Sequence, residues 1–239
     1  MPEGLRRAAF QRVHLTPTEA ARYARCMPIE FIVSALVTLL VVVDPIGLAP
    51  TFLAVTHGLS PKHRRQVALR ASLIAAAILI GAAIGGDWLL RTLGISLPAF
   101  RIAGGLLLFS IASEMVFGVR IERQQHAAEQ AMEEHVRNIA AFPLAIPLLA
   151  GPGAITATVL LAGQAGGKPL PLAGLIGVIF AVAASCLVTF LVAQRIGKLL
   201  GITGNVVLSR LLGVILAALA VQYVIDGLRT VFNLTGGGA

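Results

Sequence analysis

Six apolar stretches, each long enough to cross a lipid bilayer, recur along this chain and limit what it can fold into. They run over about Ile29–Thr56, Val67–Leu90, Leu97–Gly118, Ile139–Leu161, Leu172–Ala193 and Val206–Val231. A helix rises ~1.5 Å per residue and the hydrocarbon core is ~30 Å thick, so roughly 20 apolar residues suffice to span it. A backbone group left unpaired in lipid costs several kcal/mol, so each stretch must be a helix or a break that lines a cavity. Only 13% of residues are charged, against about a quarter in soluble domains, and mean hydropathy is +0.87. So few charges cannot cover a soluble surface. The expected fold is an all-α integral membrane protein of six transmembrane helices.

The net charge of +8 points to nucleic acid only in a soluble protein. Here the basic residues fall in short segments between the apolar runs, as in loops that face anionic headgroups, with no basic stripe interleaved with aromatics. Nucleic acid is therefore excluded as a partner. Cys26 and Cys186 are too far apart in sequence for a cysteine framework, and the five histidines all lie outside the apolar runs, so no metal site is expected. The chain carries neither a phosphate-binding Gly-x-x-x-x-Gly-Lys-Ser/Thr loop nor a Gly-x-Ser-x-Gly elbow. No catalytic residues and no cofactor are expected, and the chain reads as a non-enzyme.

The second half restates the first. Leu93-Gly94-Ile95-Ser96 returns as Leu200-Gly201-Ile202-Thr203, 107 positions on, and Arg101-x-x-Gly104 returns as Arg210-x-x-Gly213. Asp44-Pro45-Ile46-Gly47, inside the first run, aligns with Gly151-Pro152-Gly153-Ala154 inside the fourth. The chain thus divides into a basic, flexible extension (1–28), a first repeat (29–118), a polar link (119–138), a second repeat (139–231) and a short tail (232–239). Met27, directly before the first run, is an alternative start. Three spans per repeat is an odd number, so the second copy enters the membrane with opposite polarity. Two inverted repeats with the first helix of each broken are the signature of secondary transporters. The plainer alternative is a duplication that merely built a stable bundle.

The breaks read as helix starts. Asp44 suits an N-cap and Pro45 the first helical position, and Gly151-Pro152 reads the same way. Half-helices from Ile46 and Gly153 would then point positive N-terminal ends at one another, making a cradle for a carboxylate. The candidate substrate-binding residues are Asp44, Pro45, Gly47, Thr51, Gly151, Gly153 and Thr156. Two roles fit Asp44: a cap alone, or a cap that also faces a substrate ammonium, a proton or Na⁺. Thr51, Thr156 and Thr158 offer hydroxyls to a substrate, or bond their own i−4 carbonyls. Arg101 and Arg210 are placed to pair with Asp87, Glu114 or Asp226.

Val41–Thr56 with Ser60-Pro61, then Phe100–Phe109, then Phe142–Thr156 resemble, in order, the motifs of the MarC family of bacterial and archaeal membrane proteins. The resemblance covers about 29–231. It implies six spans, a multi-pass place in the bacterial or archaeal inner (cell) membrane, and, from an archaeal member, transport of small neutral amino acids. Many relatives carry Asn after Asp-Pro-Ile-Gly; this chain has Leu48, which removes a polar group beside the candidate site. The function expected is secondary transport of a small zwitterionic metabolite, with H⁺ or Na⁺ coupling and a homo-oligomer both compatible. The alternatives are a non-transporting membrane scaffold and, less favoured, an intramembrane enzyme.

Overall fold

The computed structural model describes residues 17–120, 122–124 and 139–232. The helices there are α1 (Pro17–Val43), α2 (Ala49–Val55), α3 (Pro61–Thr92), α4 (Leu97–Phe117), α5 (Pro152–Gln164), α6 (Pro169–Leu191) and α7 (Ala193–Val231), and residues 119–120 and 122–124 are helical as well. An irregular segment, Ala140–Leu149, precedes α5. Among the described residues there is no strand.

Proline stands in the first turn of most helices, and a serine caps two of them. Ser60 accepts the backbone N–H of His63 ahead of Pro61, and Ser96 accepts that of Ala99 at 3.3 Å, with Pro98 in the first turn. These hydroxyls satisfy donors that the helix itself leaves orphaned. Gly118, at φ 86°, stops α4 in the left-handed region that suits glycine.

Pro61–Thr92, Leu97–Phe117, Pro169–Leu191 and Thr203–Val231 are long and apolar enough to cross a membrane. Ala140–Leu149 and α5, bent by 57° at their junction, together make a fifth candidate. Outward faces are apolar: Leu73, Ile84, Leu106, Phe180, Leu211 and Val214 are exposed on α3, α4, α6 and α7. Such faces suit lipid rather than water. The chain is an all-helical, multi-pass membrane protein.

Local structure departs from the sequence reading in four places. Helix α1 begins at Pro17, so residues 17–28 of the extension are helical, whereas 1–16 lie outside the described residues. Pro17 suits a first helical position, and the Ala, Glu and Arg that follow are good helix formers. At the first break, Pro45–Leu48 form a turn and the helix proper starts at Ala49, later than the Ile46 expected. The fourth run is irregular already ahead of its expected break at Gly151. Phe142 and Ile146 are extended, at φ/ψ of −132/126° and −126/125°, because each precedes a proline, Pro143 or Pro147, that disfavours helical geometry. Finally, the expected pairings of Arg101 and Arg210 do not form among the described residues. Asp87 pairs with Arg91, Glu114 with Arg123, and Asp226 accepts from Gln222, each a partner closer in sequence.

Gly94 and Gly201 both have left-handed φ, 69° and 61°, just before α4 and before the spanning part of α7. Helices α4 and α7 pack antiparallel through small residues. A Cβ on Gly105 would meet the Ala220 carbonyl and Val224, and one on Gly213 would meet the Ala112 carbonyl and Val116. Early α4 thus faces late α7, and late α4 faces early α7.

Candidate functional site

The first break turns on Asp44. Its N–H closes the end of α1 on the Leu40 carbonyl at 2.9 Å, and its φ of 52° places it in the left-handed region. Aspartate tolerates that region better than most residues because its side chain bonds locally. Here Oδ1 accepts the Gly47 N–H at 3.0 Å, so one residue both ends α1 and caps the turn that leads to α2. A Cβ at position 47 would run into this carboxylate, which explains the glycine. Oδ2 faces Ser209 of α7 in a long contact of 3.4 Å. Asp44 is 2% exposed and Pro45, Gly47 and Leu48 are buried around it.

The second break is built differently. Gly151 is extended (ψ 175°), Pro152 takes the first helical position, and the first helical bond runs from the Ile155 N–H to the Gly151 carbonyl at 3.0 Å. Pro152 has no N–H, so the orphaned donors of the first turn are those of Gly153 and Ala154. A Cβ on Gly151 would strike the Pro147 carbonyl, and one on Gly153 would strike Ile111 of α4 and come within 3.4 Å of Val42. Each break therefore leans on the third helix of the other half: Asp44 on α7, Gly153 on α4.

A cavity of about 280 Å³ opens at the second break, lined by Val42, Ile111, Arg120, Gln124, Gly151 and Gly153 among others. Asp44, Pro45, Gly47, Thr51 and Thr156 do not line it. Thr51 is buried within α2, and the Thr156 methyl packs on Gly104 of α4. Thr158 spends its hydroxyl on the Ala154 carbonyl at 2.7 Å. A second cavity, about 430 Å³, sits at the C-terminal end of α5 and includes Asp87, Arg91, Ser96, Gly163 and Leu172 in its wall.

Sequence reasoning missed Arg120, which it counted only as a loop charge. The side chain is 7% exposed; it donates to the Val42 carbonyl at 2.8 Å and to the Met115 sulfur at 3.1 Å. A cation on a last-turn carbonyl of α1 complements the negative end of that helix. Burial pulls the Arg120 guanidinium below its ordinary pKa, and the Asp44 carboxylate opposes that shift. The only hint in sequence is Gly118, which ends α4 and lets the chain fold back.

Comparison with known proteins agrees with this architecture. The model of the MarC family of integral membrane proteins matches residues 29–232. A UPF0056 membrane protein of Methanocaldococcus jannaschii is 38% identical over 213 residues, covering 85% of this chain and 98% of that protein. One from Archaeoglobus fulgidus is 36% identical over 201 residues (84% and 93%), and UPF0056 membrane protein YhcE of Escherichia coli 34% over 197 residues (81% and 90%). No solved structure matches. With relatives in both archaea and bacteria along nearly their whole length, and apolar helices of spanning length in the fold, the chain belongs to the MarC family and is a multi-pass protein of the cell membrane.

Proposed function

We propose that this protein is a secondary transporter of a small zwitterionic metabolite, with small neutral amino acids as the substrate class. The observation that carries the reading is α5. This half-helix of 13 residues is buried along most of its length and has a cavity at each end. A short element between two cavities fits alternating access, in which one repeat moves against the other around a fixed site. At its N-terminus, the free N–H groups and the positive end of the helix favour a carboxylate. Asp44, buried at the other break, is the candidate counter-charge for an ammonium, a proton or Na⁺.

In this reading α1 from Ile29 and α2 form one broken span, and Ala140–Leu149 with α5 the other, giving six spans as two inverted repeats. The antiparallel α4–α7 pair, the two left-handed glycines and the crossed contacts of the breaks support that arrangement. Purified protein in liposomes tests it. Radiolabelled alanine, glycine or serine should accumulate above protein-free vesicles, and a proton or sodium gradient should drive the uptake. Well-folded protein that moves none of the three under either gradient would refute it.

A further inference from the structure

We propose that Arg120 is the anchor of the cavity at the second break and that it binds the carboxylate of a small metabolite. This rests on the transport reading only for the free amino acid as ligand; the anchor itself follows from the surroundings of one side chain.

A guanidinium removed from water needs compensation, and an unpaired buried charge is strongly unfavourable. Arg120 is more than nine-tenths buried, yet its two hydrogen bonds go to neutral acceptors, a carbonyl and a thioether. Among the described residues, no carboxylate lies within ion-pairing distance of it. The neighbouring Arg123 is taken by Glu114 at 2.6 Å, and Asp44 engages Gly47 and Ser209. Of the five N–H donors in the planar fork, two are used. Arg120 lines the same cavity as Arg123 and as a helix start whose own free donors belong to Gly153 and Ala154. Buried cation, free helix N–H groups and a glycine wall thus converge on one space of about 280 Å³. At ~30 Å³ per water, that holds a molecule of a few heavy atoms.

Arg120 also ties the site to the first break, because its other hand holds the Val42 carbonyl two residues before Asp44. A carboxylate that pulls on the fork pulls on the end of α1.

Ligand-dependent melting of the full chain in detergent tests the assignment. The probes are alanine, lactate (a carboxylate without an ammonium), alaninamide (an ammonium without a carboxylate) and inorganic phosphate. The parent should be stabilised by alanine and lactate and not by alaninamide. In Arg120→Met the half-effect concentration should rise at least tenfold, ~1.4 kcal/mol. Arg120→Lys keeps the charge without the fork and should fall between the two; it also carries the test if Arg120→Met fails to fold. Ligand-free melting of Arg120→Met should stay near the parent, since loss of the α1 cap is offset by removal of a buried charge. A purely structural role predicts the reverse, a lower melting temperature with an unchanged ligand response, and would overturn the anchor. So would a response to phosphate alone, or to no probe at all. Stabilisation by lactate without alanine sinks the amino-acid reading and leaves the anchor standing. Alanine binding that is equal in all three proteins sinks the anchor and leaves the transport reading intact.

Discussion

Asp44 does two jobs with one backbone and one carboxylate, and a third is proposed for its charge. The first two are separable from the third by substitution. Asparagine tolerates the left-handed region and caps about as well as aspartate. Asp44→Asn should therefore keep expression and melting temperature near the parent while amino-acid uptake falls at least tenfold, ~1.4 kcal/mol. Normal uptake by this variant would reduce Asp44 to a cap. Asp44→Ala removes the acceptor for Gly47 and leaves a poorly suited residue at φ 52°, so a stability loss of about 1–2 kcal/mol should show in a denaturant or thermal melt. Asp-Pro read as a helix cap, whereas Asp44 caps a turn and α2 starts behind Leu48; the left-handed φ was not legible either, because it depends on how α1 ends.

At the scale of elements, the two glycines of the second break are not equivalent. The obstacle to a Cβ at Gly151 is a backbone carbonyl, which cannot move aside, whereas at Gly153 it is the tip of Ile111. Gly151→Ala should lose about 1–3 kcal/mol of stability, the usual range for overpacking. Gly153→Ala should melt close to the parent and yet transport more slowly, because the methyl narrows the cavity. Side-by-side melting and uptake measurements check the pair; equal stability in both variants would refute the distinction. The helices inside the apolar runs were legible, since apolar length and proline punctuation are local signals, whereas the helical start of α1 over 17–28 was not. Ala140–Leu149 was harder: its prolines were visible as an interruption, but periodicity has no way to show that Phe142 and Ile146 would be extended. Arg120 was illegible for a different reason. Its role arises from a contact with Val42, 78 positions away, that no local pattern encodes.

For the whole molecule, the distribution of basic residues fixes an orientation to be tested. Lys62, Arg64, Arg65 and Arg70 follow the first span, Arg120, Arg123 and Arg137 the third, and Arg195 and Lys198 the fifth. From residue 29 onward these outnumber Arg91, Arg101, Lys168 and Arg229 on the opposite side, so the loop counts predict that the first set faces the cytoplasm; Arg6, Arg7, Arg12, Arg22 and Arg25, before the first span, count the other way. With Cys26 and Cys186 replaced, a single cysteine introduced at 125–137 should resist a membrane-impermeant thiol reagent in intact cells and react after lysis. Labelling without lysis would invert the topology. The opposite polarity proposed for the two halves follows from an odd number of spans in each. The crossed contacts between them were not legible, being tertiary.

Those crossed contacts set an order for biosynthesis. The ribosome makes Asp44 long before Ser209, and Gly153 after the Ile111 that it rests on. When the first half has been released into the bilayer, its break therefore lacks its α7 neighbour, whereas the second half emerges onto a partner already in place. The final span to be synthesised closes the unfinished side of the first. A chain cut within 125–137 and expressed as two pieces should then give a stable second piece only in the presence of the first, and a first piece that membrane proteases remove until α7 arrives.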